Sequence, residues 1–396
     1  MTTIDRFSSL GIENAPGQQS AGHPTHEAAS ILVDFSHGDV DAFPPPPGAI
    51  EAFHEAFVAG AGRAYSRYRG HSDLLEATAG KIAEFTGAPV DPARNLMITP
   101  GTQGGLFLAL AALVNPGDKV AIIEPDYFAN RKTVTFLQGE VLPVPLDFAD
   151  ASSPGRIDLE KLQDAARAGA KVLVFSNPNN PTGVIYSRDH LEEITAIAEE
   201  YGTFVVADQL YSRLIYPGRS FVHLRSSGIA SDLCLTLMGP SKTESMSGFR
   251  TGVAVGPASI LKRMEQILAI HSLRTAGYNQ AVLKVWFEEP DGWLDQRIRD
   301  HQEILHHMVS LIGKADGARV RPTEGGSYLF PELPPLSISV LELCDLLRTK
   351  YGVIVTPGTE FGPQFRSNIR LNFSQDRQRA IEAGEIIAQF VQDHVR

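Results

Sequence analysis

Between residues 94 and 255, the chain alternates short runs rich in Val, Ile and Leu with segments of helical periodicity. Near-continuous apolar runs are typical of parallel strands that are covered on both faces. Their alternation with helices predicts an α/β fold with a mostly parallel, seven-stranded sheet flanked by helices. The predicted strands are NLMIT (95–99), KVAIIE (119–124), EVLPVPL (140–146), KVLVFS (171–176), TFVVAD (203–208), LCLTLM (233–238) and GVAVG (252–256).

The pattern changes after residue 258. Residues 260–272 and 279–311 have the spacing of long helices, separated strand-like segments follow them, and the chain ends in an amphipathic helix. This change predicts a second, smaller α+β domain. We expect an N-terminal arm that also forms part of the small domain (1–47), a large α/β domain (48–285) and a small C-terminal domain (286–396).

Composition excludes several classes of function. The 396 residues carry a formal net charge of −11, which argues against a general affinity for nucleic acid or an anionic membrane. The N-terminus lacks the apolar core of a secretory signal, and no apolar run approaches the length of a membrane span. The two cysteines are far apart in apolar stretches, as expected of free thiols in a cytoplasmic protein. The histidines form no helical pair with an acid that would suggest a metal site.

Polar residues follow several of the predicted strands where each strand ends. In open parallel sheets, ligands bind beyond the carboxyl ends of the strands, so these residues should meet in one crevice. The segment 100–105, PGTQGG, leads into a helix and suits a phosphate, although a simple helix cap explains it equally well. The loop 177–183, NPNNPTG, is a rigid turn whose amides could serve a ligand.

The next two strands end in charged groups. Asp208 ends the run 203–208, and a carboxylate there is costly to bury unless it meets a cation or hydrogen-bond donors. Lys242 and Arg250 follow the run 233–238, and a lysine in an enclosed cleft can act as a nucleophilic amine. Each residue alone has an ordinary structural explanation. Together these strand ends offer a phosphate-binding helix start, an amide, a carboxylate, an amine and a guanidinium. These are the groups needed to bind an aromatic aldehyde that carries a phosphate.

The chain resembles the class I/II aminotransferases, pyridoxal 5'-phosphate (PLP) enzymes of fold type I. NPNNPTG, DQLY, SKTESMSGFRTG and NIRLNF occur in the family's order and approximate spacing. The resemblance extends from about Asp34 to the C-terminus.

The resemblance implies roles for individual residues. Lys242 would hold PLP as a Schiff base and, once displaced by the substrate amine, would move the α-proton. Asp208 would pair with the pyridinium nitrogen, while Asn180 and Tyr211 would hydrogen-bond the ring oxygen. Tyr127 would stack on the ring. The implied phosphate-binding residues are Gly101, Thr102, Gln103, Ser241 and Arg250.

Other implied roles concern the substrate and a partner subunit. Gly38, Asn180 and Arg370 would bind the substrate, with Arg370 gripping the α-carboxylate. Tyr65 would reach the phosphate of a neighbouring subunit, which implies a homodimer with shared active sites. Arg274 either reaches into the partner's pocket to bind a distal carboxylate or is a solvated arginine at a helix end.

The sequence also departs from the family pattern at two positions. Gly239 stands where Ser or Thr is frequent, and Gln209 stands where an acid is common.

The activity that the resemblance implies is a ping-pong exchange of an amino group between an α-amino acid and a 2-oxo acid. A PLP-dependent β-lyase, racemase or decarboxylase on the same fold is the alternative. A non-catalytic PLP-binding regulator is a further one, although the short N-terminal arm leaves no room for a helix-turn-helix domain.

Overall fold

The computed structural model describes residues 30–150 and 155–396, so most of the predicted N-terminal arm lies outside the described residues. The strands are β1 (Val33–Asp34), β2 (Leu96–Thr99), β3 (Lys119–Glu124), β4 (Glu140–Asp147), β5 (Arg156–Ile157), β6 (Ala170–Ser176), β7 (Phe204–Asp208), β8 (Cys234–Met238), β9 (Gly252–Val255), β10 (Tyr328–Leu329), β11 (Val353–Ile354), β12 (Thr356–Pro357) and β13 (Ile369–Asn372). The α-helices are α1 (Ala49–Ala56), α2 (Ser72–Thr86), α3 (Gly101–Leu113), α4 (Phe128–Phe136), α5 (Leu159–Arg167), α6 (Arg188–Tyr201), α7 (Ala258–His271), α8 (Gly277–Gln280), α9 (Trp293–Ile312), α10 (Val340–Tyr351) and α11 (Arg377–Gln392).

The large sheet has the strand order β2-β9-β8-β7-β6-β3-β4-β5 among the described residues. All seven predicted strands are present, and the two-residue β5, which the sequence analysis did not predict, is added at one edge. Strands β3, β4, β6, β7 and β8 pair in parallel, whereas β9 runs antiparallel to both β8 and β2. Strand β2 therefore points the same way as β8, and six strands share one carboxyl edge.

Both faces of this sheet are covered, as the apolar runs predicted. Ala121 and Ile123 of β3 pack in a core cluster with residues of α5 and α6. The alternate residues Val120 and Ile122 pack on the opposite face with residues of α3, α4 and α7. This alternation follows from the period of two in a strand and explains why almost every residue of these strands is apolar.

A separate hydrophobic cluster joins the N-terminal segment to the C-terminal part of the chain. Val33, Phe35 and Phe43 pack there against residues of α9, α10, α11 and β13. Trp286 is the first residue of the predicted small domain, but it packs with α2, β2 and β9 of the predicted large domain. The boundaries of the two domains remain a prediction.

One predicted helix is shorter than expected. The segment 279–311 is not a single helix, because residues 285–292 are not helical and α9 begins only at Trp293. Pro290 and the left-handed Gly292 (φ 78°) account for this break, since neither favours a helix interior. In residues 30–150 and 155–396, no helix combines the length and apolar character needed to cross a membrane.

Candidate active site

The shared carboxyl edge of the sheet opens on a cavity of about 270 Å³. Residues that follow β2, β3, β6, β7 and β8 line it, as the topology requires. The lining comprises Thr102, Gln103, Leu106, Tyr127, Ser176, Asn180, Asp208, Leu210, Tyr211, Ser241, Lys242, Ser247, Arg250 and Tyr328. The strand ends that the sequence analysis selected therefore meet at one place.

Lys242 and Asp208 bring opposite charges to this cavity. Burial raises the pKa of Asp208 to about 6, and the positive charge of Lys242 acts in the opposite direction. Asp208 Oδ1 accepts a hydrogen bond from the backbone N–H of Leu210 (3.1 Å). A carboxylate held in this way stabilises a cation placed in the cavity.

The start of α3 and Arg250 meet at one corner of the cavity. Gly101 has φ +74°, and a Cβ built on it would lie 2.5 Å from Nη2 of Arg250. Only glycine allows so close an approach of the guanidinium to the helix N-terminus. The buried hydroxyls of Thr102 and Ser241 have no hydrogen-bond partner among the described residues. Unpaired buried hydroxyls are costly, so two of them beside a guanidinium and a helix N-terminus fit a phosphate group.

The Gly239 departure has a steric explanation. A Cβ at this position would lie 3.1 Å from Cα of Gly252 and 3.4 Å from Oγ1 of Thr102. The backbone of β9 and the Thr102 hydroxyl therefore occupy the space that a Ser or Thr side chain would need.

Tyr127, and not the adjacent Phe128, lines the cavity. Its hydroxyl donates to Oε1 of Gln103 (2.7 Å). Its backbone N–H donates to the buried Asp126 (2.6 Å), which also accepts from the hydroxyl of Ser176 (2.6 Å). These bonds fix the turn after β3, so the aromatic ring is presented at the cavity wall.

Arg370 and Asn180 are held together at the boundary between the sheet and the C-terminal part. Nη1 of Arg370 donates to Oδ1 of Asn180 (3.1 Å), and Nη2 donates to the backbone oxygen of Ser36 (2.9 Å). The guanidinium lies 4.4 Å from the ring centre of Tyr328, and its buried Nε has no partner in the described part of the chain. Arg370 contacts Asn180 of the cavity lining but does not itself line the cavity, so its contact with a substrate carboxylate stays a prediction.

Tyr328 is a site residue that the sequence analysis missed. It lines the cavity and accepts a hydrogen bond from the hydroxyl of Tyr211 (2.8 Å). Burial acts to raise the pKa of Tyr328, but the charges of Lys242 and Arg370 outweigh it and lower the pKa. Tyr328 lies in a short strand, β10, outside the large sheet. It therefore does not follow a strand of that sheet, and the expectation that ligands bind beyond the carboxyl ends of such strands does not indicate it.

A second cavity of about 280 Å³ adjoins the first and shares Ser241, Lys242 and Ser247 with it. Gly38 lines this cavity, and its place beside the substrate stays a prediction. A Cβ on Gly38 would lie 3.4 Å from Oγ of Ser374, so a larger side chain would crowd the space.

Tyr65 and Arg274 lie elsewhere. They line a separate open cavity, where the Arg274 guanidinium is stacked on Tyr68 (3.9 Å to the ring centre) and lies 5.2 Å from the Tyr65 ring. Tyr65 is 76% exposed. Within a single chain, neither residue lines the cavities at Lys242.

The fold and the cavity define an enzyme of PLP fold type I, and three comparisons bear on its family. A sequence model described as "Aminotransferase class I and II" matches residues 30–383. An aspartate aminotransferase of Streptomyces avermitilis is 27% identical over 395 residues, covering 96% of this chain and 92% of the relative. Human kynurenine–oxoglutarate transaminase 1 is 28% identical over 319 residues, covering 76% and 75%.

Solved structures agree with the sequence relatives. The crystal structure of an aspartate aminotransferase from Rhodobacter sphaeroides 2.4.1 has a TM-score of 0.90 and 50% identity, covering 93% of this chain and 96% of that chain. The aspartate aminotransferase from Thermus thermophilus with maleate has a TM-score of 0.82 and 26% identity, covering 91% and 92%. The chain belongs to the class I and II aminotransferase family. It is a PLP-dependent aminotransferase, which exchanges an amino group between an amino acid and an oxo acid.

Proposed function

We propose that Lys242 is the lysine that binds PLP and moves the substrate proton in this enzyme. The observation that carries the proposal is that Lys242 and Asp208 meet in one cavity with the two buried hydroxyls that have no partner in the described part of the chain. Arg250, Thr102 and Ser241 bind the phosphate, together with Gly101 and Gln103 at the start of α3. Bound PLP supplies an electron-accepting ring that stabilises the negative charge left when the substrate loses its α-proton.

The protein's own residues supply binding, orientation and proton transfer. Asp208 keeps the ring nitrogen protonated, because its carboxylate favours a neighbouring positive charge. Tyr211 and Asn180 line the cavity and would bind the ring oxygen, and the aromatic ring of Tyr127 would pack on the ring of the cofactor. Arg370 orients the α-carboxylate so that Nζ of Lys242 reaches the hydrogen on the α-carbon. The neutral amine of Lys242 would take that proton at Nζ and would then give it up to the bound cofactor, so that the amine is neutral again.

The experiment mixes the purified holoenzyme with single amino acids in the absence of an oxo acid. A transaminase converts one equivalent of amino acid to oxo acid per site and then stops, because the cofactor retains the amino group. Continuous release of pyruvate and ammonia would instead indicate the lyase alternative. Borohydride reduction followed by peptide mass spectrometry should label Lys242. Lys242→Ala should abolish both results, while Lys171→Ala, at a surface ion pair with Asp118, should change neither.

We propose a dicarboxylic amino acid such as aspartate as the substrate to test first. The proposal is supported by the 50% identity to a protein called aspartate aminotransferase and by the similar Thermus enzyme, which is described with the dicarboxylate maleate. The comparison of aspartate, alanine and kynurenine as amino donors tests it. Equal kcat/KM for all three would contradict it.

We also propose that the protein works as a cytoplasmic homodimer in which Tyr65 and Arg274 serve the partner's site. The support is the exposure of Tyr65 and its separation from the cavity at Lys242. Mixed dimers of the Tyr65→Ala and Lys242→Ala variants provide the test. One intact site per mixed dimer should restore part of the activity that each variant lacks alone, and no restoration would argue against shared sites.

A further inference from the structure

The turn that presents Lys242 is connected to a cluster of charged side chains. This lysine turn, residues 241–246, closes through hydrogen bonds from Ser245 N to Lys242 O and from Met246 N to Pro240 O (both 3.1 Å). Ser245 has φ +54°, a left-handed conformation that is uncommon for residues other than glycine. Such a conformation persists only where the surrounding contacts enforce it.

The first contact is an ion-pair network around Arg213. Its guanidinium donates to the carboxylate of Glu244 in the lysine turn and to both oxygens of Glu289 (2.7 and 2.9 Å). The side chains of Arg213, Glu244 and Glu289 are 9%, 1% and 5% exposed. The guanidinium also lies 4.4 Å from the ring centre of Phe287.

The second contact comes from Arg297 of α9. Its Nη1 donates to Oγ of Ser245 (2.8 Å), and its Nη2 donates to the backbone oxygen of Pro44 (2.6 Å). The guanidinium lies 4.5 Å from the ring centre of Trp293 and 5.1 Å from that of Phe43. Arg297 thus connects the lysine turn to the segment that follows Gly38, the residue at the substrate-side cavity.

Stability alone is a weak explanation for this cluster. Removing charged groups such as Arg213, Glu289 and Arg297 from water costs several kcal/mol per ion, and well-packed apolar residues are often as stabilising as a buried ion pair. In some proteins, buried charged groups instead serve to fix one geometry. Here the geometry that they fix is that of the turn carrying Lys242.

We propose that Arg213 and Arg297 are positioning residues for Lys242, acting through Glu244 and Ser245. The inference rests on the proposed role of Lys242 and extends it to residues that do not touch the reacting atoms. Displacing Nζ by about 1 Å from the α-hydrogen can slow proton transfer by about a hundredfold. Loss of either contact should therefore slow the step in which Lys242 takes the proton, more than it weakens substrate or cofactor binding.

Two mild variants test the proposal. Burial raises the pKa of Glu244 to about 7, so the variants are compared at pH 8.5, where its carboxylate is charged. Glu244→Gln keeps the shape of the side chain but removes this charge, and Ser245→Gly removes the hydroxyl while tolerating the positive φ. Each should lower kcat by about tenfold to a hundredfold with a small change in KM. The kinetic isotope effect measured with an amino acid deuterated at the α-carbon should rise, because proton transfer becomes more strongly rate-limiting.

Two controls and a second readout separate positioning from structure. Thr243→Val removes from the same turn a buried hydroxyl that lines neither cavity at Lys242, unlike those of Thr102 and Ser241, and that has no partner within residues 30–150 and 155–396. It should leave kcat and the isotope effect unchanged. Glu303→Gln makes the same chemical change at an exposed ion pair with Arg377 and should also be silent. Amide hydrogen exchange of the lysine turn should become several-fold faster in Glu244→Gln and Ser245→Gly only.

Defined results would overturn the proposal. A lower melting temperature with unchanged kcat and isotope effect would show a structural role only. Unchanged amide exchange in the turn would show that the two contacts do not hold it, and an equal loss in Thr243→Val would show that the turn is sensitive to any change. If the wild-type protein forms no oxo acid and borohydride leaves Lys242 unlabelled, the proposed function fails, while amide exchange still tests the contacts.

Discussion

Asp208→Asn should have opposite effects on the apoprotein and on cofactor binding. In the apoprotein, burial raises the pKa of Asp208 from 3.8 to about 6. At 1.36 kcal/mol per pKa unit, this shift changes the free energy of unfolding by at most about 3 kcal/mol. Because the pKa is raised, this contribution to stability is present below the ordinary pKa and is lost as pH rises through the folded pKa.

The pH window follows from the two pKa values. As pH rises from 5 to 7.5, the free energy of unfolding of the apoprotein should fall by about 1–1.5 kcal/mol, since the rest of the decrease is already complete at pH 5. Asparagine carries no charge, so Asp208→Asn should lose less stability than the wild-type apoprotein over this interval. In the holoenzyme the carboxylate has a cationic partner, and its removal should weaken PLP binding by about tenfold to a hundredfold.

The assay is denaturant unfolding of the apoprotein at pH 5 and pH 7.5, combined with fluorescence titration of PLP. Asp232→Asn, at an exposed position, serves as the control and should resemble the wild type in both measurements. The same pH dependence of unfolding in Asp208→Asn and wild type would refute the claim that burial penalises this carboxylate. An unchanged Kd for PLP would refute its pairing with the cofactor.

Four other changes test separate parts of the site. Gly239→Ser should lower the free energy of unfolding by roughly 1–3 kcal/mol, because the new Cβ meets the β9 backbone. Thermal unfolding followed by circular dichroism would show the lower melting temperature. Tyr328→Phe should remove from the apoprotein one tyrosine that ionises below the usual phenol pKa, because the charges of Lys242 and Arg370 lower the pKa of Tyr328, and an ultraviolet absorbance titration would show the loss. Arg370→Lys should reduce kcat/KM by about tenfold to a hundredfold, because an ammonium cannot reproduce the guanidinium's two-pronged contact; equal rates would contradict that role. Arg274→Ala should raise KM for aspartate or glutamate much more than for alanine if Arg274 binds a distal carboxylate, and equal effects on all three would contradict it.

The large sheet and most of the cavity were predictable because both depend on local patterns. A buried parallel strand is apolar along its length, and ligand groups follow it at its carboxyl end, so the positions of Asp208 and Lys242 follow from the order of strands. The family resemblance then assigned roles that the pattern alone left open, such as that of Tyr127.

The remaining features depend on contacts between residues far apart in the chain. Arg213 meets Glu244 and Glu289 only because separate loops fold together, and no local periodicity indicates such a pairing. Tyr328 stands in a two-residue strand, too short for a reliable pattern. Pro290 and Gly292 indicate the break before α9, whereas the helical spacing on either side of them favours a continuous helix.

The pairing of β1 with β11 has a consequence for synthesis on the ribosome. Val33 pairs with Val353, about 320 positions later in the chain. At roughly 5–20 residues per second, translation leaves the apolar Val33 and Phe35 without their native partners for tens of seconds. Until β11 emerges, this segment is a target for chaperones or for premature association. Its folding is therefore expected to be completed after that of the large sheet.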